Sequence, residues 1–311
     1  MGKKKSTECD PLLCETRAAA TSIKTTISLL KSGFRRAGYV GEWSDLTWSG
    51  NPATSPRVSD HLTALEKELA QSAVVPIQAL PIPEAEYLAV LRFLRVPYNG
   101  NTVDWLYQQQ SLLLYMLLHT CGRRPDDVAY VRYASFQWGP DGRSVIFSMF
   151  IGKTNAGIRA DRLVIRTNSD RHQCVVEQLK QYLNAMRMHK IDMATANHFV
   201  FFMIDRRSNS VDLSRATDPS TMTQRFQATL NRMGCFNGQT LYGFRVQAAL
   251  VAAWSSDDIR DVMNAGGWMS EESARRYSQW ALLAKACLDP QAPQETMRAW
   301  LLARLEFRVF H

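Results

Sequence analysis

The chain has 311 residues, 46% of them hydrophobic, enough for one large domain beside a small one and for a proper core. A formal net charge of +8 and a pI near 9.3 point to a polyanionic partner, nucleic acid ahead of an anionic membrane surface. The longest apolar run, Leu112 to Leu118, falls far short of the ~20 residues that span a bilayer. No apolar segment follows Lys3, Lys4 and Lys5, so neither a membrane span nor a secretory signal is expected, and the protein is expected to act inside the cell.

In chain order, a polar start is followed by a helical stripe, Ile23, Ile27, Leu30 and Phe34, over Thr21 to Arg36. The breaker-rich stretch Trp48 to Pro56 interrupts it, and Leu62, Leu65 and Leu69 resume a helix over Val58 to Leu69. Pro76, Pro81 and Pro83 each restrict the residue before them, so this stretch reads as an extended linker. A small helical domain over 1–78 is expected before it, and a larger domain over 84–290 after it.

In the larger domain, Glu84 to Arg95 and Trp105 to His119 read as helices. Phe136 to Trp138, Val145 to Ile151 and Arg162 to Arg166 read as three antiparallel strands, separated by turn residues at Gly139 to Gly142 and Thr154 to Gly157. From Gln173 onward the pattern is helical, over 173–188, 220–233, 243–254, 257–264 and 271–286. The tail, 291–311, carries Met297, Trp300, Leu301 and Leu305 on one helical face. Helices, a small sheet and helices again make an α+β fold, mainly helical.

The six cysteines, at 9, 14, 121, 174, 235 and 287, form no CxxC pair, and the six histidines form no HxxxH or HxE arrangement. Neither a metal centre nor a disulfide framework is expected. Gly152, Lys153 and Thr154 look like the end of a phosphate-binding loop, but the glycine required five positions before Gly152 is Phe147. Gly266 and Gly267 lack the spacing of a dinucleotide site. No cofactor is expected.

Three segments remain. Gly122, Arg123, Arg124, Pro125, Asp126, Asp127 and Val128 follow an apolar helix and open another. Tyr242, Gly243, Phe244 and Arg245 begin an alanine-rich helix. Gly267 and Trp268 precede Ser270, which can cap a helix carrying Glu271 and Glu272 in its first turn and Tyr277 about two turns in. Singly, each has an ordinary structural explanation: an arginine after a helix is commonly solvated, and a tyrosine in an amphipathic helix commonly packs. Their order, and the elements they sit on, set them apart.

In that order the sequence resembles the tyrosine recombinase (phage-integrase) family, whose motifs take the forms G-L-R-x-S-E-L, H-x-x-R and a glycine with His or Trp followed by Tyr. Lys153, at the end of a predicted strand, resembles the family's β-hairpin lysine. The resemblance covers roughly 84–287; the N-terminal unit is similar to the family's core-binding domain in position and helix content.

The resemblance implies a metal- and ATP-independent strand transferase acting on double-stranded DNA in site-specific recombination. Tyr277 would attack phosphorus and form a 3′-phosphotyrosyl bond that conserves the energy of the broken one. Arg124 and Arg245 would each present a planar fork to the phosphate oxygens, with Asp127 holding Arg124. Lys153 would protonate the leaving 5′ oxygen, and the Trp268 indole N–H would donate to a phosphate oxygen. A phenol has a pKa near 10, so positive charge must favour the phenolate or a base must take its proton.

Tyr242 stands where the family has histidine; a phenol donates a hydrogen bond but shuttles protons poorly near neutral pH. Arg123, Arg275 and Arg276 are alternatives that helical phase alone leaves open, and the motif alignment favours Arg124. The resemblance further implies a homo-tetramer on DNA assembled by exchange of the C-terminal helix, and use in integration or excision of a mobile element of the crypton or a related type. A type IB topoisomerase and a non-cutting DNA-binding protein of the same fold are the alternatives.

Overall fold

A computed structural model describes residues 20–71, 79–149, 161–191 and 198–287. The chain divides into two compact units, Met1–Gln78 and Ala79–His311. In the first, α1 (Ala20–Arg36) and α2 (Pro56–Gln71) flank a 3-10 turn, Pro52–Thr54. Asn51 ties them together: its side chain accepts from Ala53 N and donates to Lys31 O at 2.9 Å. Lys24 pairs with Glu66 across the two helices.

The second unit is built on α4 (Thr102–Cys121), reached through α3 (Glu84–Leu94). Asn101 caps α4 by accepting from Val103 N and Asp104 N, and Gly122 closes it in the left-handed conformation at φ 57°. Leu112 to Leu118 are all buried, so this half of α4 is apolar all round and runs through the core. The short α5 (Pro125–Ala129) follows.

A three-stranded antiparallel sheet comprises β1 (Phe136–Trp138), β2 (Ser144–Met149) and β3 (Asp161–Arg166), in that order. Phe136 pairs Phe147, and Phe147 pairs Leu163, so the inward row is continuous across the strands. Then come α6 (Val175–Met188), α7 (Pro219–Met233), α8 (Tyr242–Ser255), α9 (Ile259–Gly266) and α10 (Glu271–Cys287). The mainly helical α+β architecture expected from sequence is observed.

One element was not expected from sequence. The stretch 189–219, between two expected helices and given no element from sequence, contains a second antiparallel sheet, β4 (Phe202–Asp205) with β5 (Ser210–Ala216). It is held from outside the hairpin: Gln110 Nε2 and the Thr217 hydroxyl both donate to Phe202 O, at 3.1 and 2.7 Å. The Tyr182 hydroxyl donates to Val200 O just before it. The expected tail helix over 291–311, the loop carrying Lys153 and much of the expected linker lie outside the described residues. Among the described residues no helix is long and apolar enough to cross a membrane.

Two buried clusters result. The larger surrounds α4 and takes in α3, α6, α7 and the sheets. The smaller joins α8, α9 and α10 through Val246, Leu250, Val262 and Trp268, with Tyr277 packed against it. The motif residues sit where α4 ends against this smaller cluster.

Candidate active site

Gly122 sets the geometry. A Cβ there would meet Ala248 Cβ at 2.7 Å and Ala265 O at 2.8 Å, so only a glycine lets the end of α4 close against α8 and α9. Arg124 then stands at the N-cap position of α5 without a side-chain capping bond, and Asp126 and Asp127 occupy its first turn.

Arg245 lies one turn into α8 and is 2% exposed. Its Nη1 donates to Gly122 O at 2.9 Å and to Gly266 O at 2.6 Å. Those carbonyls belong to the C-terminal ends of α4 and α9, where unpaired carbonyls and the helix dipole both favour a cation. The guanidinium carbon stands 4.1 Å from the Trp268 ring centroid and 5.8 Å from that of Tyr277. Burial lowers its pKa from 12.5 to about 10; Arg124 and Arg123 add to the fall, while Tyr277 and Asp127 oppose it.

Trp268 is placed by the end of α9. Gly267 adopts φ 63°, and the Trp268 backbone N–H bonds back to Met263 O at 2.9 Å, which turns the indole under the helix. Its ring meets that of Tyr277 at 5.2 Å. Ser270 opens α10 by accepting from Ser273 N, and Tyr277 lies half-buried on the face toward α8. The side-chain donors Arg245 Nε and Trp268 Nε1 are both buried with no hydrogen-bond partner among the described residues.

Tyr242 begins α8, and its hydroxyl donates to Asp126 Oδ2 at 2.7 Å. Burial first, and then the bond to Asp126, push the Tyr242 pKa above the usual phenol range; the Arg124 charge works against this and that of Tyr277 with it. Asp127 is desolvated, which raises its pKa, and Arg124 and Arg245 pull it back. The bond between Asp127 and Arg124 runs from the Asp127 backbone N–H to Arg124 O.

Six of the seven residues singled out from sequence, Arg124, Asp127, Tyr242, Arg245, Trp268 and Tyr277, therefore share one neighbourhood. The seventh, Lys153, lies outside the described residues. Two residues given no role by the motif lie in the same place. Asp126 is one. Arg123 is the other: it is 8% exposed, and a Cβ added at Gly267 would fall on its guanidinium. Among the described residues no group of three or more His, Cys, Asp or Glu side chains is placed to hold a metal ion.

No family model matches the chain, and no curated protein sequence matches it. Solved structures do. The XerH site-specific recombinase, bound to palindromic difH substrate in a post-cleavage complex, aligns with a TM-score of 0.50 at 13% identity, over 67% of this chain and 52% of its own. This chain thus spans about half the length of that recombinase. XerA recombinase (14% identity, 84% of this chain and 80% of its own) and the Tn1549 transposon integrase with circular intermediate DNA (14%, 85% and 79%) align more loosely, with TM-scores of 0.45 and 0.44. These structural neighbours are recombinases and an integrase, and at such low identity what the chain shares with XerH is the fold.

Proposed function

We propose that this chain is a site-specific DNA recombinase that cuts and rejoins double-stranded DNA through a 3′-phosphotyrosyl bond at Tyr277, without metal or ATP. The observation that carries the reading is the meeting of Arg245 from α8, Tyr277 from α10 and Trp268 from the turn between α9 and α10, at the end of α4 beside Arg124. An oxyanion is the acceptor that the buried Arg245 Nε and Trp268 Nε1 lack. The +8 net charge suits a phosphate backbone.

In this reading Arg124 and Arg245 neutralise the phosphate oxygens, Trp268 adds a donor, and Asp127 tempers the charge of the arginines. Lys153 protonates the departing 5′ oxygen. Integration or excision of a mobile element, in a tetramer joined through the C-terminal tail, is the use proposed.

The test is chemical mapping of the product. Digestion of protein incubated with nicked duplex should yield one nucleotide-bearing peptide, the one containing Tyr277, and a free 5′ hydroxyl on the other strand end. A nucleotide on any other residue contradicts the assignment.

A further inference from the structure

The first turn of α8, Tyr242 to Arg245, meets a different neighbour at each residue. Tyr242 bonds to Asp126, Phe244 packs edge-on against Tyr87 and His119, and Arg245 bridges Gly122 O and Gly266 O. Gly243 faces the chain just after the start of the second unit at Ala79. A Cβ at Gly243 would stand 2.3 Å from Leu80 O and 2.9 Å from Ile82 Cγ1, so a methyl group has no room there. The Ile82 backbone N–H donates to Gly243 O in a long bond of 3.4 Å, and Ile82 is fully buried.

Leu80 to Ile82 thus form a strap across that turn. Pro81 and Pro83 stiffen it, because each fixes its own φ and holds the residue before it extended. The strap is anchored in two places. Ala79 packs against the small cluster of α8, α9 and α10 that takes in Trp268 and Tyr277, whereas Ile82 belongs to the large cluster around α4. Leu241, the N-cap residue of α8, makes no side-chain capping bond, so packing rather than a cap fixes where the helix starts. By helix propensity alone alanine would serve better than glycine at 243; the close passage of the strap is what requires the glycine.

We propose that the strap seated on Gly243 is a positioning element for strand transfer: it fixes the first turn of α8 and, through it, the aim of Arg245 at the scissile phosphate. This inference rests on the strand-transfer reading above. The Arg245 guanidinium is tied at Nη1 to two carbonyls, while Nε, the donor left for an oxyanion, lies nearer the backbone and follows any shift of the turn. Gly243 and Ile82 touch no reacting atom and act through Arg245.

The experiment follows covalent adduct formation by the full chain on nicked suicide duplexes with randomised flanking arms, at saturating duplex and well below Tm. It compares wild type, Gly243→Ala, Ile82→Ala and Ile82→Val. Gly243→Ala lifts the strap and should lower the single-turnover rate constant by about a hundredfold, the cost of misplacing a catalytic group by about 1 Å. Ile82→Ala loosens the strap and should lower it by about tenfold. Ile82→Val keeps the branched side chain and should restore nearly the wild-type rate. The duplex concentration that gives half the maximal rate should stay at its wild-type value.

A lesion confined to folding would instead lower the amplitude, the share of chain that reacts, and leave the rate constant of that share alone. Should Gly243→Ala fail to fold, the two Ile82 variants decide. A wild-type rate constant in Ile82→Ala, whatever its amplitude, overturns the positioning role, and so does a defect seen only as weaker duplex binding. Absence of adduct from the wild-type chain overturns the strand-transfer reading itself, and the positioning role with it.

Discussion

The Arg245 guanidinium lies 4.1 Å from the centre of the Trp268 ring while its Nη1 bridges Gly122 O and Gly266 O. One side chain thereby joins the ends of two helices and presents an aromatic-backed cation beside Tyr277. Lysine has no planar fork with which to do both. Arg245→Lys should leave at least one buried carbonyl unpaired, at about 1–3 kcal/mol, and lower Tm by about 2–4 °C per kcal/mol. Single-turnover adduct formation should fall by about a hundredfold or more; a wild-type rate would remove Arg245 from the chemistry.

Trp268 separates a donor from a platform. Trp268→Phe keeps a ring under Arg245 but loses the buried Nε1–H, which has no partner among the described residues. Its Tm should change little while adduct formation slows by about tenfold, the value of one hydrogen bond to a charged group. Trp268→His restores an N–H and should recover part of the loss. Trp268→Ala removes a buried ring and should cost about 3–5 kcal/mol of stability, read by denaturant melts.

Gly267→Ala tests the position of Arg123. The residue holds φ 63°, and a methyl group there would fall on the Arg123 guanidinium. Backbone strain of about 1–2 kcal/mol should lower Tm by a few degrees, and the displaced arginine should weaken cleavage more than it weakens duplex binding. Equal loss in both would place Arg123 in general phosphate contact.

His119 gives the fold a pH dependence apart from the chemistry. Its ring stacks on Tyr87 at 3.8 Å, with 5° between the planes, and meets Phe244 edge-on. Burial lowers its pKa from 6.5 to about 4. Between those values the unfolded chain binds a proton that the folded chain excludes, so stability is full above pH 6.5 and falls as pH drops toward 4. The slope should reach at most about 1.4 kcal/mol per pH unit. Denaturant melts of wild type and His119→Phe should diverge over that window; parallel curves would contradict the assignment.

Much of this was legible in the sequence because local rules and tertiary packing agree there. The apolar run of α4 sits between an asparagine cap and a left-handed glycine, and the turn Gly139 to Gly142 marks the β1–β2 hairpin. The β4–β5 hairpin was hidden. Asp212, Ser214 and Arg215 dilute the strand pattern of β5, and the polar turn residue at positive φ, Asn209, is a weak signal. Much of what secures it is remote: Gln110 and the Arg206–Asp104 ion pair, beside the bond from Thr217 at the end of β5.

At the site, motif order picks out Arg124, Arg245, Trp268 and Tyr277 without geometry. Adjacent residues such as Arg123 and Arg124 leave a turn in directions that sequence phase does not resolve. Asp126 joins the site only because α8 brings the Tyr242 hydroxyl to it, a pairing across distant segments that no local pattern encodes.

The most direct measurement is a denaturing gel of the full chain incubated with nicked suicide duplexes in EDTA, wild type beside Tyr277→Phe. A covalent protein–DNA species formed by wild type and absent from Tyr277→Phe is the predicted result. An adduct that survives Tyr277→Phe, or tight salt-sensitive binding with no adduct from wild type, would contradict strand transfer through Tyr277.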